Sequence, residues 1–339
     1  MVRTSLLVAI TLLLATPLTA QDEITWTPDR PDGHAPLGVN GDRILGPGEF
    51  QIAYRYAQMD RKGVWFDNDS LPLATTFEFY EVAPLSQNNV THTLDVLYGL
   101  TDRVTLRASV PYHQFERRSQ TDANVLYITE ADELGDAELS GLLEVVRQGG
   151  YRVLVEGGVL VPTGQSDVTA VTPFSAPGEE ALAYDMRPGG GVFAVLPGAT
   201  AQVQNEMASL GLQVKGRIHV GGENGSGFVP GDILEGSLWA AYNVTDAISA
   251  SARVHYQNWT RVEGADPELD PLRDPTHDGF FAEGSRLSLP IGVNVLMPRG
   301  SLLEGHRLSL EYLYPIHQEF EGPQLGFSRG LVVGWELVF

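Results

Sequence analysis

The chain closes on "LVVGWELVF" (331–339), and the fold turns on how this stretch is read. Leu331, Val333, Trp335, Leu337 and Phe339 fall on one side of an extended chain, and Glu336 on the other. Alternation of this kind marks a strand with one apolar and one polar face. In a soluble domain the apolar face meets a core. In a membrane barrel it meets lipid, and the rest of the chain has to decide between the two.

Upstream, residues 1–20 read "MVRTSLLVAITLLLATPLTA", with Arg3 at the start, an apolar run from Leu6 to Leu14, and the small residues Thr19 and Ala20 before Gln21. That is the pattern of a secretory signal peptide, with cleavage expected before Gln21. The sequence contains no cysteine, so no disulfide framework is available in an oxidising compartment. No later stretch reaches 18 uninterrupted apolar residues, which excludes helical spans. A formal net charge of −21 argues against nucleic acid as a partner. The 37 glycines, 21 prolines and 12 tyrosines fit a β-rich chain with many turns.

Segments with a period of two, bounded by turn residues, predict twelve strands. They fall near 49–59, 89–100, 103–116, 134–147, 151–162, 187–197, 207–220, 232–243, 247–260, 285–297, 306–317 and 327–339. Their connections alternate between long and short. Turns such as "TD" (101–102), "QGG" (148–150), "PGAT" (197–200) and "VTD" (244–246) follow loops such as 60–88, 117–133 and 163–186, and the segment 198–206 stays open between a strand extension and a bulge. An even strand number with short turns on one side and long loops on the other predicts an all-β, transmembrane, antiparallel up-and-down β-barrel. The expected organisation is signal peptide 1–20, an N-terminal periplasmic or plug segment 21–48, and barrel 49–339. The long loop 60–88 could fold inward and narrow the mouth.

Tyrosine placement separates the barrel from a sandwich. Tyr56, Tyr112, Tyr256 and Tyr314 come late on upward strands, and Tyr98, Tyr242 and Phe339 late on downward ones. Two aromatic girdles bounding an apolar band belong to membrane interfaces. "LVVGWELVF" then reads as the closing strand with its apolar face to lipid and Phe339 at the interface, and a closing strand ending in Phe resembles the signature that the barrel assembly machinery recognises.

Several phrases resemble the family of outer-membrane channels named after the meta-pathway of phenol degradation. They are "YGLTDRVTLRASVPY" (98–112), "LGDAELSGLLEV" (134–145) and "GGVLVPTGQSD" (157–167). The leading "HAPLGVNGDRILGPGEFQIAYRYAQMD" (34–60) resembles a segment of related transporters. The resemblance implies a channel-like barrel and brings no catalytic residue and no substrate.

Parity places Arg55, Asp95, Arg103, Arg107, Glu138, Glu144, Glu156, Lys215, Arg217, Glu235, Arg253, His255, Arg307 and Glu311 on the inward wall, with Asp136, Arg152 and Glu336. In an open pore such side chains select small polar solutes; in a closed barrel they pair across strands. His113, His219, His255 and His317 are expected inside, too far apart to share a metal. "DPELDPLRDPTHD" spaces Asp266, Asp270, Asp274 and Asp278 four apart, and reads as a solvated acidic loop in preference to a calcium site. A barrel lipase needs serine beside histidine on the lipid face, and His92 there has no such serine. The expectation is a passive channel for a small-molecule solute, without catalysis, metal or cofactor, set among outer-membrane lipid and lipopolysaccharide. The alternatives are a non-conducting surface barrel and a hydrolase at the rim.

Overall fold

The computed structural model describes residues 25–298 and 300–339, so the signal-peptide expectation for 1–20 lies outside the described residues. Twelve antiparallel strands form a closed barrel with almost no helix. In chain order they are β1 (Phe50–Asp67), β2 (Val82–Gly99), β3 (Val104–Thr121), β4 (Ala137–Gln148), β5 (Tyr151–Val161) and β6 (Ala194–Gln204). Then follow β7 (Ala208–His219), β8 (Ile233–Asn243), β9 (Ile248–Trp259), β10 (Ile291–Leu296), β11 (His306–Leu313) and β12 (Pro315–Val338). The start of β12 continues β11 upward and pairs with the short strand Gly284–Ser288 above β10. Its later part returns along β11 and β1.

Closure is made by the opening stretch. Gln51 pairs with Val338, Tyr54 with Trp335 and Tyr56 with Val333, and the Phe50 and Phe339 backbones exchange two 2.9 Å hydrogen bonds. The barrel therefore leaves no free edge between first and last strand.

Burial settles which face looks where. Leu94, Leu106, Leu139, Leu210, Leu238 and Ile291 all stand exposed on the outside, while Asp95, Arg107, Ser140, Ser249 and Asn294 are buried inside. Keeping six large apolar side chains half in water would cost on the order of 5–10 kcal/mol, as much as the whole stability of a typical domain. An apolar solvent removes that cost, and the inverted pattern is that of a membrane barrel. At the lower rim Phe50 packs on Tyr98 and Phe339, with ring centroids 4.7 and 6.1 Å apart. Higher up, Tyr56, His92 and Tyr112 line up across β1, β2 and β3. One step above them Gln58 and Gln114 turn the outer face polar.

Two expectations are corrected. The sixth strand lies at Ala194–Gln204, not 187–197, and its turn is at 205–207. Pro197 and Gly198 look like a turn in sequence but sit inside β6, where pairing with β7 skips from Val195↔Ile218 to Gly198↔Lys215. Proline's missing N–H is tolerated at such a gap. The real turn is held by Asn205, whose Oδ1 accepts from the N–H groups of Met207 and Ala208. The predicted loop 60–88 is mostly wall: β1 runs to Asp67 and β2 starts at Val82, paired from Phe50↔Tyr98 to Lys62↔Ser86.

Candidate functional site: the barrel lumen

The segment before β1 enters the barrel from below and returns to the same mouth. Trp26 N–H donates to Gly149 O in the β4–β5 turn, and Gly48 N–H to Gly99 O at the foot of β2. Between these points the chain climbs to an apex at 38–40. Pro31 O accepts from Ser249 Oγ and Arg307 Nη2, and Asp32 O from Ser209 Oγ. At the top, Gly38 N–H donates to Glu311 Oε2 at 2.7 Å, Arg55 donates to the Asn40 side chain, and Gln213 donates to Asn40 O. On the way down Arg152 Nη2 donates to Asp42 O, and Leu45 N–H to Thr105 Oγ1. Val39 and Ala35 pack on Trp239, and Leu37 lies against the wall at Gly334, where a Cβ would come within 2.3 Å of it.

Most of the predicted wall charges are paired, and two paired groups meet the hairpin. In the first, Arg55 and Arg107 share Asp95 at 3.0 and 2.7 Å, and Arg107 reaches Glu138 at 3.2 Å. Glu138 also binds Arg217 at 3.0 Å, while Glu156 lies 2.8 Å from Lys215 and 3.9 Å from Arg107. Seven of the residues predicted by parity thus form one chain of alternating charge from β1 to β7. In the second, Arg253 Nε and Nη2 both donate to Glu311 Oε1, and Arg253 Nη1 donates to Ser237 Oγ, which also meets His255 at 3.1 Å. Glu311 therefore gives one oxygen to the wall and the other to the hairpin.

The remaining predicted residues are dispersed. Glu144 binds Arg147 at the lower mouth, Arg307 lies 3.5 Å from Glu336, and Glu235 accepts from Gln257. Arg103 is a correction: it stands exposed in the turn before β3, because the strand starts one residue later. His317 is another. The pairing between Leu287↔His317 and Ser288↔Pro315 contains an extra residue, Ile316, and such a bulge reverses the alternation beyond it. His317 is accordingly exposed and Gln318 buried. His113 meets Thr91 and His219 lies 3.5 Å from Asp232, so the four histidines remain apart.

Parity on the strands missed what the ends of the strands hold. Above the charge chain, Asp185 from the loop 162–193 binds Arg61 and Arg117 of β1 and β3. Burial alone would raise the Asp185 carboxyl, but Arg117 and Arg61 outweigh it and hold it below the ordinary carboxylate range. Arg187 binds Asp266 at 2.7 Å, and the Asp266 N–H donates to Tyr184 Oη, which ties this loop to 260–283. In the acidic loop each of Asp266, Asp270, Asp274 and Asp278 accepts from the N–H two residues on. The four-residue spacing is a run of aspartate-capped turns.

Two cavities flank the hairpin. The lower, ≈ 1250 Å³, is lined by Trp26, His34, Arg43, Arg147, Arg152 and Arg307. The upper, ≈ 660 Å³, is lined by Arg61, Asp185, Arg217, Arg286, Trp259 and Phe327. At the apex only ≈ 80 Å³ remains among Leu37, Asn40, Arg55, Asp95 and Arg107. That holds a few waters.

No protein-family model and no curated protein matches the chain. Solved structures do. An outer membrane channel from Pseudomonas putida F1 superposes with a TM-score of 0.61 at 14% identity, covering 87% of this chain and 97% of that one. The β-domain of the Bordetella autotransporter BrkA gives a TM-score of 0.43 at 10% identity, covering 86% of this chain and 100% of that one. The translocator domain of the autotransporter NalP from Neisseria meningitidis gives 0.41 at 13% identity, covering 86% and 89%. The first likeness establishes the outer-membrane barrel fold.

Proposed function

We propose that this protein is a channel of the bacterial outer membrane that passes a small polar solute through a charged lumen and is closed at mid-height by the hairpin 31–45. The observation that carries the reading is the pair of cavities, ≈ 1250 and ≈ 660 Å³, separated by one short chain segment inside a charged wall. A wall built only for stability has no need of solvent-sized chambers on both sides. The resemblance of residues 98–112, 134–145 and 157–167 to the meta-pathway channel family supports the same reading, as does the fold shared with the Pseudomonas channel. Export by the segment 1–20, insertion by the barrel assembly machinery and a surround of lipid and lipopolysaccharide belong to this proposal. No residue is assigned to catalysis and no cofactor to the lumen.

A second reading, a non-conducting surface barrel, is favoured by the ion pairing of the wall and by the filled apex. Single-channel recording in a planar bilayer under a salt gradient separates the two. The chain from Gln21 should give small or rare steps, and a form lacking residues 25–45 large and stable ones. Silence from both, in protein shown to be folded and inserted, would leave the non-conducting barrel.

A further inference from the structure

Two arginines that line the lower cavity carry covered guanidinium nitrogens without a hydrogen-bond partner among the described residues, Arg307 at Nη1 and Arg43 at Nε. The Arg307 side chain is 3% exposed; its Nη2 donates to Pro31 O and its Nε lies 3.5 Å from Glu336, whose other oxygen accepts from Gln51. Arg43 makes no ion pair with a described residue. Arg152 lines the same cavity but spends its donors on neutral oxygens, those of Gln202 and Asp42 O, and stacks on Trp26 at 4.0 Å. Of the carboxylates nearby, Asp42 accepts from the Ala35 N–H, Asp32 pairs with Arg30 and Glu144 with Arg147, while Asp42 and Asp32 still attract Arg307 at longer range and Glu49, Asp102, Asp246 and Glu304 line the same cavity. His34 reports the resulting field. Burial first, then Arg307, Arg43 and Arg152, push its pKa well below the usual histidine value.

A buried guanidinium N–H without an acceptor is costly, and an oxyanion is the ligand that satisfies it best, by charge-assisted hydrogen bonds. Arg43 rides on the hairpin and Arg307 on β11, so one anion between them would hold the hairpin to the wall. We propose that Arg43 and Arg307 form an oxyanion-binding subsite in the lower vestibule, which takes the carboxylate or phosphate group of a small anion. This names a solute class for the channel reading and rests on that reading for its role in transport. Its test reads binding and does not require conduction.

Isothermal titration calorimetry of the folded mature protein in detergent, in a buffer free of oxyanions, would use inorganic phosphate and succinate as probes. Saturable binding of at least one is expected, weakened at least tenfold by Arg43→Gln. Arg307→Lys keeps the charge but removes the planar fork and should weaken it similarly. Arg147→Gln, in the same vestibule but paired with Glu144, should bind as the unaltered protein does. Phosphate binding alone assigns the subsite to free phosphate, and binding of both probes assigns it to oxyanions including carboxylic acids. No saturable binding of either probe, or equal weakening by all three substitutions, overturns the subsite. If Arg307→Lys does not fold, Arg43→Gln on the hairpin carries the decision. Absent binding in a conducting protein leaves the channel standing, and binding in a silent one leaves the subsite standing.

Discussion

Single side chains decide how firmly the hairpin is held. Glu311 is 1% exposed and divides its oxygens between Arg253 and the Gly38 N–H. Glu311→Gln retains the shape but leaves Arg253 buried without a counter-charge, which typically costs about 3–5 kcal/mol. Urea unfolding of the refolded barrel should show a loss of that size. His34 sets a pH dependence. Its folded pKa is depressed, so the unfolded or undocked form binds the proton more readily below about pH 6.5. The docked hairpin is thus at full strength above that pH and weakens as pH falls below it. Conductance should rise on acidification below pH 6.5 and lose this response in His34→Gln; a flat profile in the unaltered protein would sink the assignment. The inward wall was legible at this scale from parity alone, since Asp95, Arg107, Arg253 and Glu311 are all buried where alternation puts them. Who pairs with whom was not, because Arg107 bridging Asp95 and Glu138 depends on the register of three strands. Arg103 and His317 failed for local reasons, a strand that starts late and a bulge.

Among the strands, β6 shows where sequence punctuation misleads. Pro197-Gly198 reads as a turn by propensity, but barrel closure overrides it by leaving the ladder open at that point. Asn205, which reads as nothing in particular, makes the turn. Asn205→Ala should therefore cost on the order of 1–2 kcal/mol, two hydrogen bonds to Met207 and Ala208 being lost. Pro197→Ala should stay within about 0.5 kcal/mol. Chemical denaturation of the two variants side by side tests the contrast, and the reverse order would restore the turn at 197–200. Loop lengths were overestimated for a related reason. Above the tyrosine row the outer face of β1–β3 becomes polar, so the lipid-facing alternation stops while the hydrogen-bonded strands continue.

For the molecule as a whole, the upper loops behave as a tied unit. Asp266 anchors the loop 260–283 to Arg187, and both side chains are nearly inaccessible. Asp266→Asn leaves the Arg187 charge buried and unpaired, so protease should cut within 162–193 much faster than in the unaltered protein. Asp270→Asn, at an exposed turn, should not change the rate. The sequence carried the barrel and its strand number because lipid imposes a simple alternation on every strand. It left the N-terminal segment open between periplasm and lumen because a segment without regular structure is placed by contacts with distant strands, and no local period encodes those. The hairpin enters and leaves by one mouth, Trp26 at the β4–β5 turn and Gly48 at the foot of β2. Its described residues are therefore never threaded through the barrel, and a pull on the chain at Trp26 would peel its contacts one after another. Mechanically it is a cork whose removal requires no stave to part.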